Sequence, residues 1–378
     1  MIRRSAATAT SWSHVIADSK LLALLVHRGL LTVDDARAAM AAGDAARFLV
    51  QSGRCTAEQW QQWQRTEAGT RPVLSRYDVA GQLGEGAVGR VFAAIDKVDG
   101  REVALKVLRP ELARDALQTE RFVKEARLLM QLEHPQLVKG LRVAKEGETI
   151  FFAMERLPGE CLQDILAREQ RLDEESALQI VVEVAGALDA LHQQQLVHRD
   201  VKPGNVLWSE ERGAVLIDLG FAVAGGANTG GDTTAGTVHY IAPEQARGSD
   251  QLDVRADIYA LGATLYHLTT GSLPFEGRTS EEVLRKQVLE SLSGDRIRAL
   301  RLSPHLHYFL EKMMAKDPAM RFQDPQQLQR EIEAFLQQRR QQRELEAKQR
   351  DRPRLGDRPG AGDRRRPSMF ERRRRGRR

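Results

Sequence analysis

The sequence predicts an α+β fold of two lobes, a small sheet-rich one and a larger helical one, with a small all-α module in front and a disordered basic tail behind. Three observations carry this. Strand-like runs cluster early: YDVAGQL from Tyr77, VGRVFAAID from Val88, EVALKVL from Glu102 and TIFFAME from Thr149. Helical periodicity follows, clearest in ALQIVVEVAGALDALHQQ from Ala177, and strands followed by helices read as segregated layers. From Gln338 the chain turns Arg-rich with scattered Pro and Gly, too poor in aliphatics to offset the entropy of ordering.

Three regions follow: 1–72, 73–337 and 338–378. The first is helical and carries a short internal repeat, LLVHRGLLTVDDA (Leu24–Ala36) against FLVQSGRCTAEQW (Phe48–Trp60). In each copy a Gly ends one helix and a Thr opens the next, and Thr56 with Gln59 has the spacing of a capping box. The segment Ala68–Arg76 reads as a linker.

The whole is 378 residues with 42% hydrophobic and 29% charged residues, an ordinary globular composition. No run reaches the roughly 18 apolar residues a membrane-spanning helix needs, so no transmembrane segment is expected. The Arg pair near the start has no apolar stretch behind it, which argues against a secretory signal. Two cysteines far apart, Cys55 and Cys161, argue against a disulfide framework or a Cys-based zinc site and fit a reducing, cytoplasmic setting. The net charge is +5, yet residues 338–378 alone hold 17 Lys/Arg against 6 Asp/Glu, a net +11 that leaves −6 for residues 1–337. The basic balance therefore belongs to the tail and is no argument for a nucleic-acid-binding body.

Five strings carry chemistry. GEGAVGRV (Gly84–Val91) lies between two strand-like runs, and its glycines at 84, 86 and 89 let backbone N–H groups approach a polyphosphate. A dinucleotide fold would open a helix after the third glycine, whereas VFAAID reads as strand. VALK places Lys106 inside an apolar strand, where it needs an anionic partner. Glu125 follows on a helical stretch; by itself it reads as a solvated helix-face residue. HRDVKPGN (His198–Asn205) sets Asp200 and Asn205 five apart, with Lys202 between them and Pro203 stiffening the loop. VLIDLG delivers Asp218 to a strand end, where a carboxylate can face a hard cation such as Mg²⁺. APE (Ala242–Glu244) is followed by Asp257 in ADIYALG and Arg321 in KDPAMRF.

In this order and spacing the strings resemble the signature set of the eukaryotic-type protein kinases over about Tyr77 to Gln337, and GTVHYIAPEQARG resembles the bacterial Hanks-type Ser/Thr kinases. The resemblance implies the bilobal protein-kinase fold, ATP and Mg²⁺ as cofactors, protein substrates, and transfer of the γ-phosphoryl group to Ser/Thr hydroxyls. It implies that Gly84, Gly86 and Gly89, with Leu83, cover the ATP phosphates. Lys106 would bind the α/β-phosphates, held by an ion pair to Glu125. Asp200 would take the hydroxyl proton, Lys202 would touch the γ-phosphate, and Asn205 and Asp218 would hold Mg²⁺. Met154, Glu155 and Leu157 resemble the gatekeeper and hinge, and Val91, Ala104 and Leu207 the adenine walls. Glu244 and Arg321 resemble a buried ion pair, and Asp257 the carboxylate that holds the catalytic loop's backbone. The chemistry agrees, because phosphoryl transfer asks a protein for alignment and charge neutralisation.

There are two departures from the pattern. Leu219 stands where Phe is commoner, filling a similar apolar slot, and Val88 stands where an aromatic often caps the phosphates, which predicts a looser lid. KPGN after Asp200 and Thr237 before APE resemble the Ser/Thr class. Arg199 and Thr229, Thr233 or Thr234 suggest activation by loop autophosphorylation. The N-terminal module reads as an interaction module for a protein partner. The tail, with RRRPS at Ser368, reads as a solvated Arg-rich segment or a dock for an acidic partner. Intact Lys106, Asp200, Asn205 and Asp218 argue against a pseudokinase, and APE against a small-molecule phosphotransferase.

Overall fold

The computed structural model describes residues 21–22, 25–26, 31–57, 59–60, 71–219, 223–224, 237–249, 251–292 and 302–350. The first 20 residues, Thr229, Thr233, Thr234, Gly29 and the basic stretch 351–378 with Ser368 lie outside them. The chain divides into two compact units, Met1–Arg121 with Leu141–Arg156, and Phe122–Gly140 with Leu157–Arg378.

In the first unit, the N-terminal helices Val33–Ala41 and Ala45–Gln51 follow the repeat. Thr32 accepts from the Asp35 N–H while the Asp35 carboxylate accepts from Thr32, closing a capping box. Thr56 and Gln59 make the same reciprocal pair, at 2.8 and 3.0 Å. Leu22, Leu25, Ala39, Leu49, Cys55 and Trp60 build one small core that draws on both repeat copies.

The same unit holds a five-stranded sheet in the order β1-β2-β3-β5-β4. Its strands are β1 (Tyr77–Glu85), β2 (Gly89–Asp96), β3 (Glu102–Leu108), β4 (Gly140–Glu146) and β5 (Thr149–Glu155). Four were legible as strands; β4, with a mixed polar pattern, was not. Directly opposed residues of antiparallel strands share a face. One face buries Phe92, Ala94, Val103, Leu105, Phe151 and Ala153 as a core. The other carries Val91, Ala104, Lys106, Phe152 and Met154, because Val91 opposes Lys106, Lys106 opposes Phe152, and Ala104 opposes Met154.

The helix Ala116–Gln131 runs across the division between the units and carries Glu125 in its second part. The second unit is mainly helical. Helix Glu174–Gln193 starts on Asp173, whose carboxylate accepts from the N–H groups of Glu175 and Ser176, and it buries Ile180, Val184, Leu188 and Leu191. Against it packs Val254–Thr270, apolar nearly all round and therefore central, which ends on Gly271 in the left-handed region at φ 71°. Ser280–Leu289 and Pro304–Met313 complete this body. Small sheets join β6 (Glu160–Cys161), β8 (Val206–Ser209) and β9 (Gly213–Leu216), and pair β7 (Leu196–Val197) with β10 (Val223–Ala224).

One expectation needs correction. The tail was expected to be disordered from Gln338, but helix Pro325–Arg350 continues through the start of that segment. Gln, Arg, Glu, Ala and Lys are good helix formers, and the helix lies along Glu174–Gln193. There Arg339 pairs with Glu174, and Arg340 and Arg343 with Glu175, so basic residues meet the acidic first turn of a neighbouring helix. Composition alone overlooked a tertiary partner of opposite charge.

Candidate active site

Strand register assembles one half of the predicted constellation in the first unit. Val91, Ala104, Lys106 and Met154 lie on a single sheet face, and Gly84 opposes Val91 at its end. Glu155 is the last residue of β5, and Leu83 falls in a bulge of β1, exposed. Lys106 is 8% exposed. A buried ammonium on this face is costly without anionic company, which is the requirement its strand position announced.

The glycine turn is closed by the Gly86 N–H donating to Gly89 O at 2.8 Å, and the Arg109 N–H donates to Val88 O at 3.1 Å. The Arg109 guanidinium reaches back to Gly86 O through Nε (3.2 Å) and Nη2 (3.0 Å) and pairs with Glu85 at 2.6 Å. The loop is thus tethered, whereas Val88 had predicted a looser lid. Arg109 was invisible in the sequence, since an Arg before Pro110 carries no motif. The glycines also divide. A Cβ on Gly84 would meet nothing within 4 Å, while one on Gly89 would sit 2.3 Å from Val107 O. Gly89 is needed for strand packing as well as for any ligand.

The second unit brings together Asp200, Lys202 and Asn205. Lys202 Nζ donates to both carboxylate oxygens of Asp200, at 2.9 and 2.8 Å. Asn205 Nδ2 donates to Asp200 O at 2.8 Å and to Asp200 Oδ2 at 2.9 Å. Pro203–Asn205 form a turn of 3₁₀-helix, which swings Asn205 back beneath Asp200. Behind the loop, Asp257 accepts from the backbone N–H of His198 and of Arg199. Arg199 sits at φ 69°, a conformation costing a non-glycine residue about 1–2 kcal/mol, and these bonds hold it there. Burial pushes the Asp257 carboxyl up, against the pull of His198 and Arg199.

Asp218 follows β9, and the Ile217 N–H donates to Asn205 O at 3.0 Å, so the two expected metal ligands lie on adjoining strips of backbone. The donor set fits Mg²⁺. The Asn205 amide makes its hydrogen bonds through nitrogen, leaving a carbonyl oxygen, and Asp218 adds a carboxylate. Mg²⁺ is commonly held by one or two such oxygens together with substrate phosphates. Among the described residues no group of three or more His, Cys, Asp or Glu forms a self-sufficient cage. Leu219 is fully buried, an apolar plug as its sequence position implied. Leu207 lies on β8, opposite Cys161. Leu157 opens the second unit, and Glu125 lies there while Lys106 lies in the first.

Glu244 and Arg321 meet in a two-pronged ion pair of 2.7 and 2.8 Å, with Arg321 also donating to Ala315 O and Arg255 O. Gln245 Nε2 donates to Arg199 O at 3.1 Å, connecting the APE helix Pro243–Ala246 to the loop of Asp200.

A sheet bearing a buried lysine above a glycine turn, and a helical unit bearing an Asp–Lys–Asn loop backed by a buried Asp, define the protein-kinase class. The chain belongs to that family: the protein kinase domain model matches residues 77–332. Its relatives include the probable serine/threonine-protein kinase PknB of Corynebacterium glutamicum, 35% identical over 66% of this chain and 41% of that protein. The serine/threonine-protein kinase PrkC of Bacillus subtilis is 33% identical over 69% of this chain and 40% of its own. PknB of Mycobacterium leprae is 37% identical over 67% and 42%. The chain therefore spans about two fifths of the length of these relatives. Among the described residues no helix is long and apolar enough to cross a membrane.

Proposed function

We propose that this chain is a serine/threonine protein kinase that transfers the γ-phosphoryl group of ATP to Ser/Thr hydroxyls of protein substrates. The observation that carries the reading is the Asp200 carboxylate, buried and gripped by Lys202 and Asn205 on a loop that Asp257 fixes from behind. Asp200 accepts the proton of the attacking hydroxyl, and Lys202, already within 2.9 Å of it, stabilises the charge of the transferring group. Lys106 holds the α/β-phosphates and pairs with Glu125. Leu83, Gly84, Gly86 and Gly89 cover the nucleotide, Val91, Ala104 and Leu207 line the adenine, and Met154, Glu155 and Leu157 form its hinge. Asn205 and Asp218 hold Mg²⁺, which when bound neutralises phosphate charge. Loop autophosphorylation at Thr233 or Thr234, acting through Arg199, raises activity. The enzyme is cytoplasmic, its N-terminal helices (1–72) dock a protein partner, and its basic tail meets an acidic one.

The test is transfer of labelled γ-phosphate to a generic protein substrate, with Asp200→Asn and Lys106→Met alongside. Wild type labels Ser or Thr, and Asp200→Asn falls by about a thousandfold. Equal labelling by wild type and Asp200→Asn would sink the reading.

A further inference from the structure

The first unit carries a groove of about 440 Å³ that the nucleotide chemistry does not use. It lies on the sheet face away from Lys106: its residues Arg90 and Val107 oppose each other in the β2–β3 register and share the face of Phe92. Pro72, Val107, Pro110 and Ala113 give it apolar walls. Arg71, Arg90, Arg109, Arg114 and Lys145 line it against two carboxylates, Glu111 and Glu148. Five cations against two anions around an apolar floor suit a ligand that is itself anionic and partly apolar.

One lining residue is also the tether of the glycine turn. Arg109 donates twice to Gly86 O and pairs with Glu85, which Arg90 approaches at 3.4 Å. Glu85 and Arg109 are substantially solvent-exposed, at 41% and 33%, and an exposed pair of this kind is worth only about 0–1 kcal/mol. A carboxylate arriving in the groove can therefore compete for Arg109 and loosen its hold on the turn.

We propose that this groove is a regulatory docking site for an acidic peptide segment of a partner protein, and that Arg109 couples its occupancy to the phosphate-binding turn. The coupling rests on that turn binding ATP, as proposed above; the docking does not. Binding to the groove exchanges the Arg109–Glu85 pair for a pair with the peptide. Linkage then requires nucleotide and peptide to weaken each other by the same factor.

The experiment uses the full chain with a labelled Glu-rich peptide carrying a central Phe, a Lys-for-Glu control peptide, and a fluorescent ATP analogue with Mg²⁺. Wild type is expected to bind the acidic peptide in a salt-sensitive way and to lose about fivefold in nucleotide affinity when it is saturated. The double variant Arg114→Glu, Lys145→Glu, whose side chains are exposed, should lose the peptide by at least about tenfold and keep wild-type nucleotide affinity. Arg109→Ala should still bind peptide, with nucleotide affinity lowered beforehand and no longer responsive. Equal peptide binding by wild type and the charge-reversed variant, as capture by the basic tail would give, overturns the groove. Nucleotide affinity indifferent to bound peptide overturns the coupling while the kinase reading stands. Peptide binding that follows the groove charges in a chain that binds no nucleotide sinks the coupling and the kinase reading together and keeps the groove.

Discussion

Asp257 accepts the backbone N–H of His198 through Oδ2 at 2.8 Å and that of Arg199 through Oδ1 at 2.7 Å, so one carboxylate fixes two consecutive residues of the loop that carries Asp200. Asp257 is buried, 1% exposed, in the helix Val254–Thr270. Asp257→Ala orphans two buried donors, each costing about 1–3 kcal/mol, and releases Arg199 from its left-handed conformation. Urea unfolding should show a loss of several kcal/mol, and phosphotransfer should fall further than ATP affinity does. Wild-type turnover in a folded Asp257→Ala protein would show that the loop is held by something else.

Arg321 is 2% exposed and Glu244 is its ion-pair partner. Breaking a buried pair from one side leaves the other charge stranded, at about 3–5 kcal/mol. Glu244→Gln and Arg321→Met should each cost that much in denaturant melts. The double variant should cost less than the sum, because the stranded charge is gone. Strict additivity would mean that the two side chains act independently.

Gly84 and Gly89 belong to one motif and should respond differently to alanine. Gly84→Ala meets open space, so its melting temperature should stay at the wild-type value while the KM for ATP rises. Gly89→Ala drives a methyl to 2.3 Å from Val107 O and forces β2 off β3, so its melting temperature should drop by several degrees before any nucleotide is added. Equal melting temperatures for the two variants would contradict this division.

Lys316 donates to Gln287 O at 2.7 Å and to Tyr259 OH at 2.9 Å, with the Phe275 ring 4.3 Å away. Burial, followed by the nearby charges of Arg321 and Arg247, pushes it down to about 7, with Glu290 and Glu244 opposing. The unfolded chain titrates near the ordinary lysine value, about 10.4. Between those values the unfolded state binds the extra proton, so stability rises with pH from about 7 towards 10. Thermal melts at pH 7, 8 and 9 should rise accordingly, and Lys316→Met should flatten that rise. An unchanged slope in the variant would assign the effect elsewhere.

Much of this molecule was legible because local pattern and local chemistry coincide. Four strands of the sheet stand in the sequence as short runs rich in apolar residues, EVALKVL and TIFFAME most plainly, and the Thr caps of the N-terminal repeat satisfy donors within their own turn. Asp200, Lys202 and Asn205 lie on one short loop, so a string of eight residues already implied their meeting.

The amino-acid order alone pointed to the family, to a lysine at position 106 inside an apolar strand, and to the meeting of Asp200, Lys202 and Asn205, since each depends on motif spacing or on residues within one short loop. Packing in three dimensions decided the rest. It decided that Arg109 ties down the glycine turn, that Gly89 is needed by Val107, and that basic residues past Gln338 stay helical against Glu174 and Glu175. Those facts join residues distant in sequence, and a charge or a missing Cβ acquires its meaning only from the atom that the fold sets beside it.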